Sequence, residues 1–304
     1  MRLLNFGLYS FFCLLSLHVK AQHPGCVTGY QARDQDEEAR HQQFLDQIKA
    51  VEGKHILQSR DVKHFEVVIH VVSTDDKLNV SQAQVLQQLD VLNADFAGMG
   101  DNIGKLPVEF KSLVADAGLQ FCLASLDPDG QPTTGITFTH TDLQHVGTQY
   151  GEGGRRVIQY DELGGKTGWD PKRYINIWIG DCENILGSSS MPDDLFPMEE
   201  IGLVIDDQHF GAFGPSGSYG EFGRGHTLTH EMGHFFGLQH IWGHGLNEDC
   251  SDSDDIDDTP NAAGPHYGCP TGEVLSCGDQ NMYQNFMDLT DDRCLAAFTH
   301  GQVA

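Results

Sequence analysis

His230-Glu231-Met232-Gly233-His234-Phe235-Phe236-Gly237-Leu238-Gln239-His240 is the stretch on which the architecture turns. Residues four apart on a helix share a face, so His230 and His234 can offer two imidazole nitrogens to one ion while Glu231 projects to one side. Gly237 can adopt a left-handed conformation that ends the helix, so the chain reverses and brings His240 back as a third ligand. Three neutral imidazoles leave zinc one open position, which is the catalytic rather than the structural arrangement. Glu231 is then placed to act as general base on a water. The chain holds 16 histidines, so a short His-Glu-x-x-His match could be accidental; Gly237 and His240 in register argue against that. His226 lies four residues before His230 on the same face, but no glutamate follows it. It is read as a helix-start or supporting residue, and His244 is likewise not a ligand.

Outward from this stretch, the pattern is strand, helix, then several strands. Val67 to Val72 is a β-branched run that reads as a buried strand. A helix is expected from Ser81, where Val85, Leu89, Leu92 and Phe96 recur at helical spacing. Leu119 to Leu126, Tyr174 to Ile179, Leu186 to Met191 and Ile201 to Ile205 read as further strands. The class is α/β. Beyond Gly243 the periodicity fades into a loop-rich part that holds four cysteines. Residues 22–60 are polar, with one short amphipathic run at Phe44, Ile48 and Val51, and look like an appendage.

The chain begins with Met1-Arg2 and an apolar run that stops at Lys20. Val19 and Ala21 have the small-residue spacing of a cleavage site, so residues 1–21 read as an export signal; a membrane anchor is the alternative. With 18 Lys plus Arg against 44 Asp plus Glu and a formal charge of -26, the chain is repelled by phosphate backbones and anionic lipids. Nucleic-acid and membrane-surface roles are therefore set aside, and cations are the favoured ligands. Seven carboxylates crowd residues 248–258, a composition that suits calcium because clustered hard oxygens otherwise repel one another. Without Cys13, seven cysteines remain, an odd number that leaves one outside any set of three disulfides. Cys26 stands apart from the rest in the N-terminal segment.

The long histidine motif, followed by Asn285-Phe286-Met287-Asp288, resembles the metzincin clan of zinc endopeptidases, in which a tight turn places a methionine beneath the metal. The fuller likeness is to the pappalysin family, and within it to compact members of the ulilysin type. It is carried by Phe121-Cys122-Leu123-Ala124, Asp127-Pro128-Asp129-Gly130, Leu186-Gly187, Asp258-Thr259-Pro260 and Phe298-Thr299, and it runs from about Val67 to the end. The resemblance implies a twisted five-stranded mixed sheet with two helices above a cleft, and an irregular disulfide-tied lower subdomain from about residue 241. It implies His230, His234 and His240 as zinc ligands, Glu231 as general base and Met287 as an apolar floor. It also implies calcium near Asp255, Asp258 and Thr259, and disulfides Cys250–Cys277 and Cys269–Cys294. Cys122 and Cys182 are left over and are expected to pair across neighbouring strands; arithmetic alone does not establish these pairings.

Three features bear on how such an enzyme would act. Relatives carry a tyrosine two residues after the turn methionine, where this chain has Leu289, which cannot donate a hydrogen bond to a tetrahedral intermediate. Relatives of the ulilysin type have an acidic residue just before the last cysteine, which selects basic side chains after the cut. Arg293 stands there in this chain and is expected to favour acidic ones, or else to be simply solvated. A prosegment over 22–60 would end near Ser59-Arg60-Asp61, and self-cleavage before Asp61 would obey that acidic rule; a foreign protease cutting after Arg60 is the alternative. Cys26 could hold the zymogen latent as a thiolate on zinc, against an aspartate ligand or a plain free thiol. The expected protein is thus a secreted, extracellular or periplasmic, monomeric zinc endopeptidase over 61–304. Its partners would be protein or peptide substrates, laid against an edge strand near Ser188 to Met191, and its own prosegment. A catalytically silent, calcium-stabilised binding module with the same fold is the alternative.

Overall fold

A computed structural model of the protein describes residues 62–74, 80–191, 196–211, 220–244 and 249–304, with isolated positions at 39, 42, 43 and 46. The export signal, Cys26 and the Arg60–Asp61 bond lie outside the described residues.

The β-branched run opens as β1 (Lys63–Ser73), the centre of the sheet. Its alternation feeds two layers, since successive side chains face opposite sides. Val67, Ile69 and Val71 join the main core, while Val72 joins Ile158, Trp178 and Val204 on the other face. Ser81 then caps α1 (Gln82–Phe96), its side chain accepting from the Gln84 amide, which satisfies one of the first-turn donors. Val85, Leu89, Leu92 and Phe96 turn inward against β1 as their spacing predicts.

Beyond α1 come β2 (Leu119–Leu123), β3 (Ile136–His140), β4 (Ile175–Gly180), β5 (Gly187–Ser189) and β6 (Leu203–Asp206). The sheet order is β2-β1-β4-β6-β5, with β3 also paired to β1. β2 aligns with residues 63–67 of β1 and β3 with residues 69–73. The two short strands therefore lie against successive halves of β1, and six strands fill the five positions expected. β3 was not anticipated, because its Ile-Thr-Phe-Thr-His alternation sits in a glycine- and turn-rich stretch. Only β5, at the edge, runs antiparallel, which makes the sheet mixed. α2 (His226–Phe235) packs with α1 on the same face, Leu228 and Met232 entering the core shared with Val85 and Ile177.

Residues 241–304 carry little regular structure beyond a small hairpin, β7 (Leu275–Ser276) with β8 (Asp279–Gln280). Cys250–Cys277 and Cys269–Cys294 tie this part together, with Cα separations of 5.3 and 5.8 Å, both within the range a disulfide spans. The expected third bridge is absent: Cys122 and Cys182 are free thiols. Their strands are not neighbours, because β1 lies between β2 and β4. In register, Cys122 stands level with Glu66, while Val67 pairs Ile175. Gly180, at the end of its strand and two residues before Cys182, is therefore already offset from Cys122 by roughly 20 Å along the strands at about 3.3 Å per residue.

Candidate active site and metal centre

The site assembles where α2 meets the chain that returns after it. Gly237, at φ 98, ends the helix in the left-handed region, and its amide bonds to the His234 carbonyl at 2.8 Å while the Leu238 amide bonds to Gly233 at 3.0 Å. That closure turns the chain so that His240 comes back over the helix. His230, His234 and His240 are buried and offer ring nitrogens that all lie within 4.8 Å of one another.

Their tautomers follow from their partners. His230 Nδ1 lies 2.6 Å from the Phe286 carbonyl, and His234 Nδ1 lies 2.7 Å from the Leu238 carbonyl. A carbonyl only accepts, so each Nδ1 carries the proton and each Nε2 is a bare lone pair. Those two Nε2 atoms face each other at 3.1 Å, and His240 Nε2 lies 3.3 Å from that of His234. Two acceptors at that distance repel unless a cation stands between them. Zinc with Zn–N bonds of about 2.0–2.1 Å in tetrahedral array requires nitrogens about 3.3 Å apart, so the donor set fits this ion. Burial pushes His230 down to about 4, and His234 and His240 well below the ordinary imidazole range, which keeps the rings neutral, as metal ligation requires. The His240 ring is stacked on Trp242 with centroids 4.4 Å apart, fixing its plane.

Met287 occupies the floor. The Asn285 side chain accepts from its amide at 2.9 Å, closing the turn. Met287 is fully buried. A side chain at Gly233 would put its Cβ 2.5 Å from Met287 Sδ, so the glycine within the motif is what lets the helix settle onto the methionine. Glu231 is also fully buried and packs against the edge strand: a Cβ on Gly187 would meet Glu231 Cγ at 2.9 Å. β5 thus passes directly over the glutamate.

Beside His230 and Glu231 opens a narrow pocket lined by Leu186, Phe222, His226, Leu289, Asp292 and Leu295, among others. Leu289 contributes an apolar wall. Arg293 is not part of the lining. Its guanidinium pairs with Asp291 at 2.8 Å and is largely exposed, because the chain turns at 292–294 and sends Asp292 inward and Arg293 out. Asp292 Oδ2 accepts from the Arg224 amide at 2.7 Å and more weakly from that of His226 at 3.4 Å, and burial holds its carboxyl above the usual range. His226, read as supporting, takes that role: its Nδ1 meets Asp95 Oδ2 at 2.8 Å, and the Thr229 hydroxyl donates to the same oxygen at 2.7 Å, tying α2 to α1.

Asp258 commits its oxygens to the Thr299 hydroxyl at 2.7 Å and the Gly301 amide at 2.9 Å. Asp255 is exposed, and Thr259 is buried. Asp254, which the sequence did not single out within a run of like residues, is the buried carboxylate. Its Oδ2 lacks a hydrogen-bond partner among the described residues, and burial pushes its pKa up to about 8.

A parallel-dominated sheet, a helix bearing two of three convergent imidazoles, an adjacent glutamate and a methionine turn define a metzincin-type zinc peptidase. Residues 160–304 match the Peptidase M43 family, described as pregnancy-associated plasma protein-A. An extracellular metalloprotease of Arthroderma benhamiae is 41% identical over 243 residues, covering 77% of this chain and 67% of that protein. Mature mirolysin of Tannerella forsythia, solved in complex with a cleaved peptide, superposes with a TM-score of 0.73 at 35% identity, covering 81% of this chain and 90% of that one. A promirolysin mutant from the same organism gives a TM-score of 0.79 at 33% identity, covering 89% and 87%. The chain belongs to the pappalysin family of zinc metallopeptidases.

Proposed function

We propose that the protein is a secreted zinc endopeptidase, made with a leader over 1–21 and a latency segment over 22–60, that cuts polypeptides ahead of basic residues. The observation that carries the peptidase reading is the pair of bare Nε2 atoms at 3.1 Å with a buried glutamate on the next residue of the helix. Bound zinc supplies Lewis acidity there and lowers the pKa of its water to about 7. Substrate lies extended along the outer side of β5, gaining main-chain hydrogen bonds as an added strand, and so passes over Glu231. The glutamate takes a proton from the attacking water and hands it to the leaving amide nitrogen.

Specificity follows from which side chain lines the pocket. Among the described residues Asp292 has the His226 imidazole nearby but no cationic side chain bonded to it, so an incoming Lys or Arg would add a directly bonded countercharge. The acidic preference expected from Arg293 loses its basis, since that guanidinium lies outside the pocket. In a peptide library the residue following the cut should be Lys or Arg, and Asp292→Asn should reduce that selectivity at least tenfold; a preference for Asp or Glu would overturn the assignment. The same rule moves self-processing one bond earlier, so the mature N-terminus should be Arg60 rather than Asp61.

Latency is assigned to the thiolate of Cys26 as a ligand that zinc would accept, supported by its place in the N-terminal segment and by the likeness to a pro-form. Cys26→Ala should shorten the lag before activity appears, and an unaltered lag would remove the role. Calcium is assigned to the loop around Asp254 and Thr259, with Asp255 beside it. A carboxyl whose folded pKa is raised to about 8 favours folding below the unfolded value near 4, and that contribution is lost as pH rises toward 8. Calcium should therefore raise Tm more at pH 8 than at pH 5. An equal shift at both values would count against this site.

A further inference from the structure

The strand that receives substrate in the reading above is short. β5 spans only Gly187–Ser189 and ends the sheet, with β6 as its one strand neighbour. An edge of that length frays unless side chains hold it. Its two faces are held in different ways. Gly187 faces α2 and rests on Glu231. Successive side chains point to opposite faces, so Ser188 turns to the other layer, level with Val204 of the second core, and is buried. There Arg156 Nη1 donates to the Ser188 hydroxyl, while Arg156 Nε donates to the Gly147 carbonyl at 2.8 Å. Two bonds from one planar guanidinium fix its orientation, and the charge on the donor strengthens each.

The segment that supplies Arg156 is itself anchored. Val157 and Ile158 enter the second core beside Trp178 and Val204. The next two residues reach the other member of the strand pair. Gln159 Nε2 donates to the Glu200 carbonyl at 3.1 Å, and the Tyr160 hydroxyl donates to Glu200 Oε1 at 2.7 Å. Glu200 lies just ahead of β6. One base, rooted in the second core, therefore grips both β5 and the entry to β6.

We propose that Arg156 is a positioning residue for substrate: acting through the Ser188 hydroxyl, it keeps β5 in the extended form with which an incoming polypeptide pairs. This rests on the peptidase reading and on substrate lying along β5. Arg156 works from the face of the sheet away from Glu231, so its loss falls on binding of the chain rather than on proton transfer. With the edge already formed, main-chain hydrogen bonds to substrate are made without further ordering of the protein. Without the brace, part of the binding free energy goes into ordering β5.

The test uses a peptide that extends several residues to either side of the cut. Arg156→Met keeps an unbranched apolar stem and removes both bonds; it should raise KM about tenfold and change kcat by less than about twofold. Ser188→Ala, which removes only the shared bond, should raise KM severalfold, and the double variant should be little worse than Arg156→Met alone. Acetohydroxamate binds zinc but has no chain to lay along β5, so it should inhibit all four forms equally. An unmoved KM in Arg156→Met, losses that add in the double variant, or acetohydroxamate affinity that falls in step with peptide affinity would each overturn the proposal. Calorimetric titration of the peptide against Glu231→Ala protein, with and without Arg156→Met, reads the same ratio in Kd without turnover. Absence of hydrolysis by the unaltered protein therefore counts against the peptidase reading, while a Kd ratio of one counts against Arg156.

Discussion

Glu231→Gln should lower kcat/KM by about 10²–10⁴-fold while leaving zinc content and Tm unchanged. Gln keeps the shape of the side chain and still fits between α2 and Gly187, where even one additional carbon on the strand would collide with Glu231. What it lacks is a carboxylate that can take a proton from water and return it to the leaving nitrogen. The loss should fall on kcat more than on KM, because the carboxylate acts in the transition state rather than in holding the substrate. Quenched fluorescent peptides with Lys after the cut, read beside metal analysis of the same preparation, decide it. A variant that keeps more than half the activity with zinc in place would place the general base elsewhere.

Much of this site was legible because its parts are close in sequence and the periods are simple. The four-residue interval between His230 and His234 requires only a helix, and the return of His240 requires only a left-handed glycine, which Gly237 supplies at φ 98. The α1 stripe and the β1 run were legible for the same reason, since hydrophobic period maps onto burial. Two disulfides were implied by resemblance and are formed. The Cys122–Cys182 pairing failed because strand order is not written in local pattern: β1 intervenes between their strands.

The residue proposed to set the finer selectivity, Asp292, stands one position before Arg293, the residue that the sequence suggested. Asp291, Asp292 and Arg293 follow one another, and only the turn at 292–294 settles which side chain faces the cleft. The same ambiguity hid Asp254 among its acidic neighbours, since burial rather than residue type distinguishes it. His226 shows the converse. Its spacing marked it as a possible third imidazole on the helix face, and it is the bond to Asp95 at 2.8 Å that gives it a different task. By that contact the N-terminus of α2 is held against the end of α1.

Complete removal of metal should abolish hydrolysis and also lower Tm by roughly 10 °C. The argument starts from the lone pairs: with both Nδ1 protons committed to the Phe286 and Leu238 carbonyls, the apo site confines two unprotonated nitrogens at 3.1 Å. Neither ring can turn to relieve the contact without leaving its carbonyl unpaired in a buried setting, which costs about 1–3 kcal/mol for each such group. A cation bound only by the folded chain adds about 4 kcal/mol when present at a thousandfold over its Kd, and each kcal/mol moves Tm by about 2–4 °C in a domain of 150–250 residues. Dialysis against a strong chelator, with calcium replenished so that the Asp254 loop is not emptied as well, isolates the histidine site. Stoichiometric zinc should then restore both Tm and activity, whereas His234→Ala protein should regain neither. Full activity and an unmoved Tm in protein shown by elemental analysis to be free of transition metal would sink the assignment, because the three imidazoles would then be packing groups and Glu231 would have no activated water to serve.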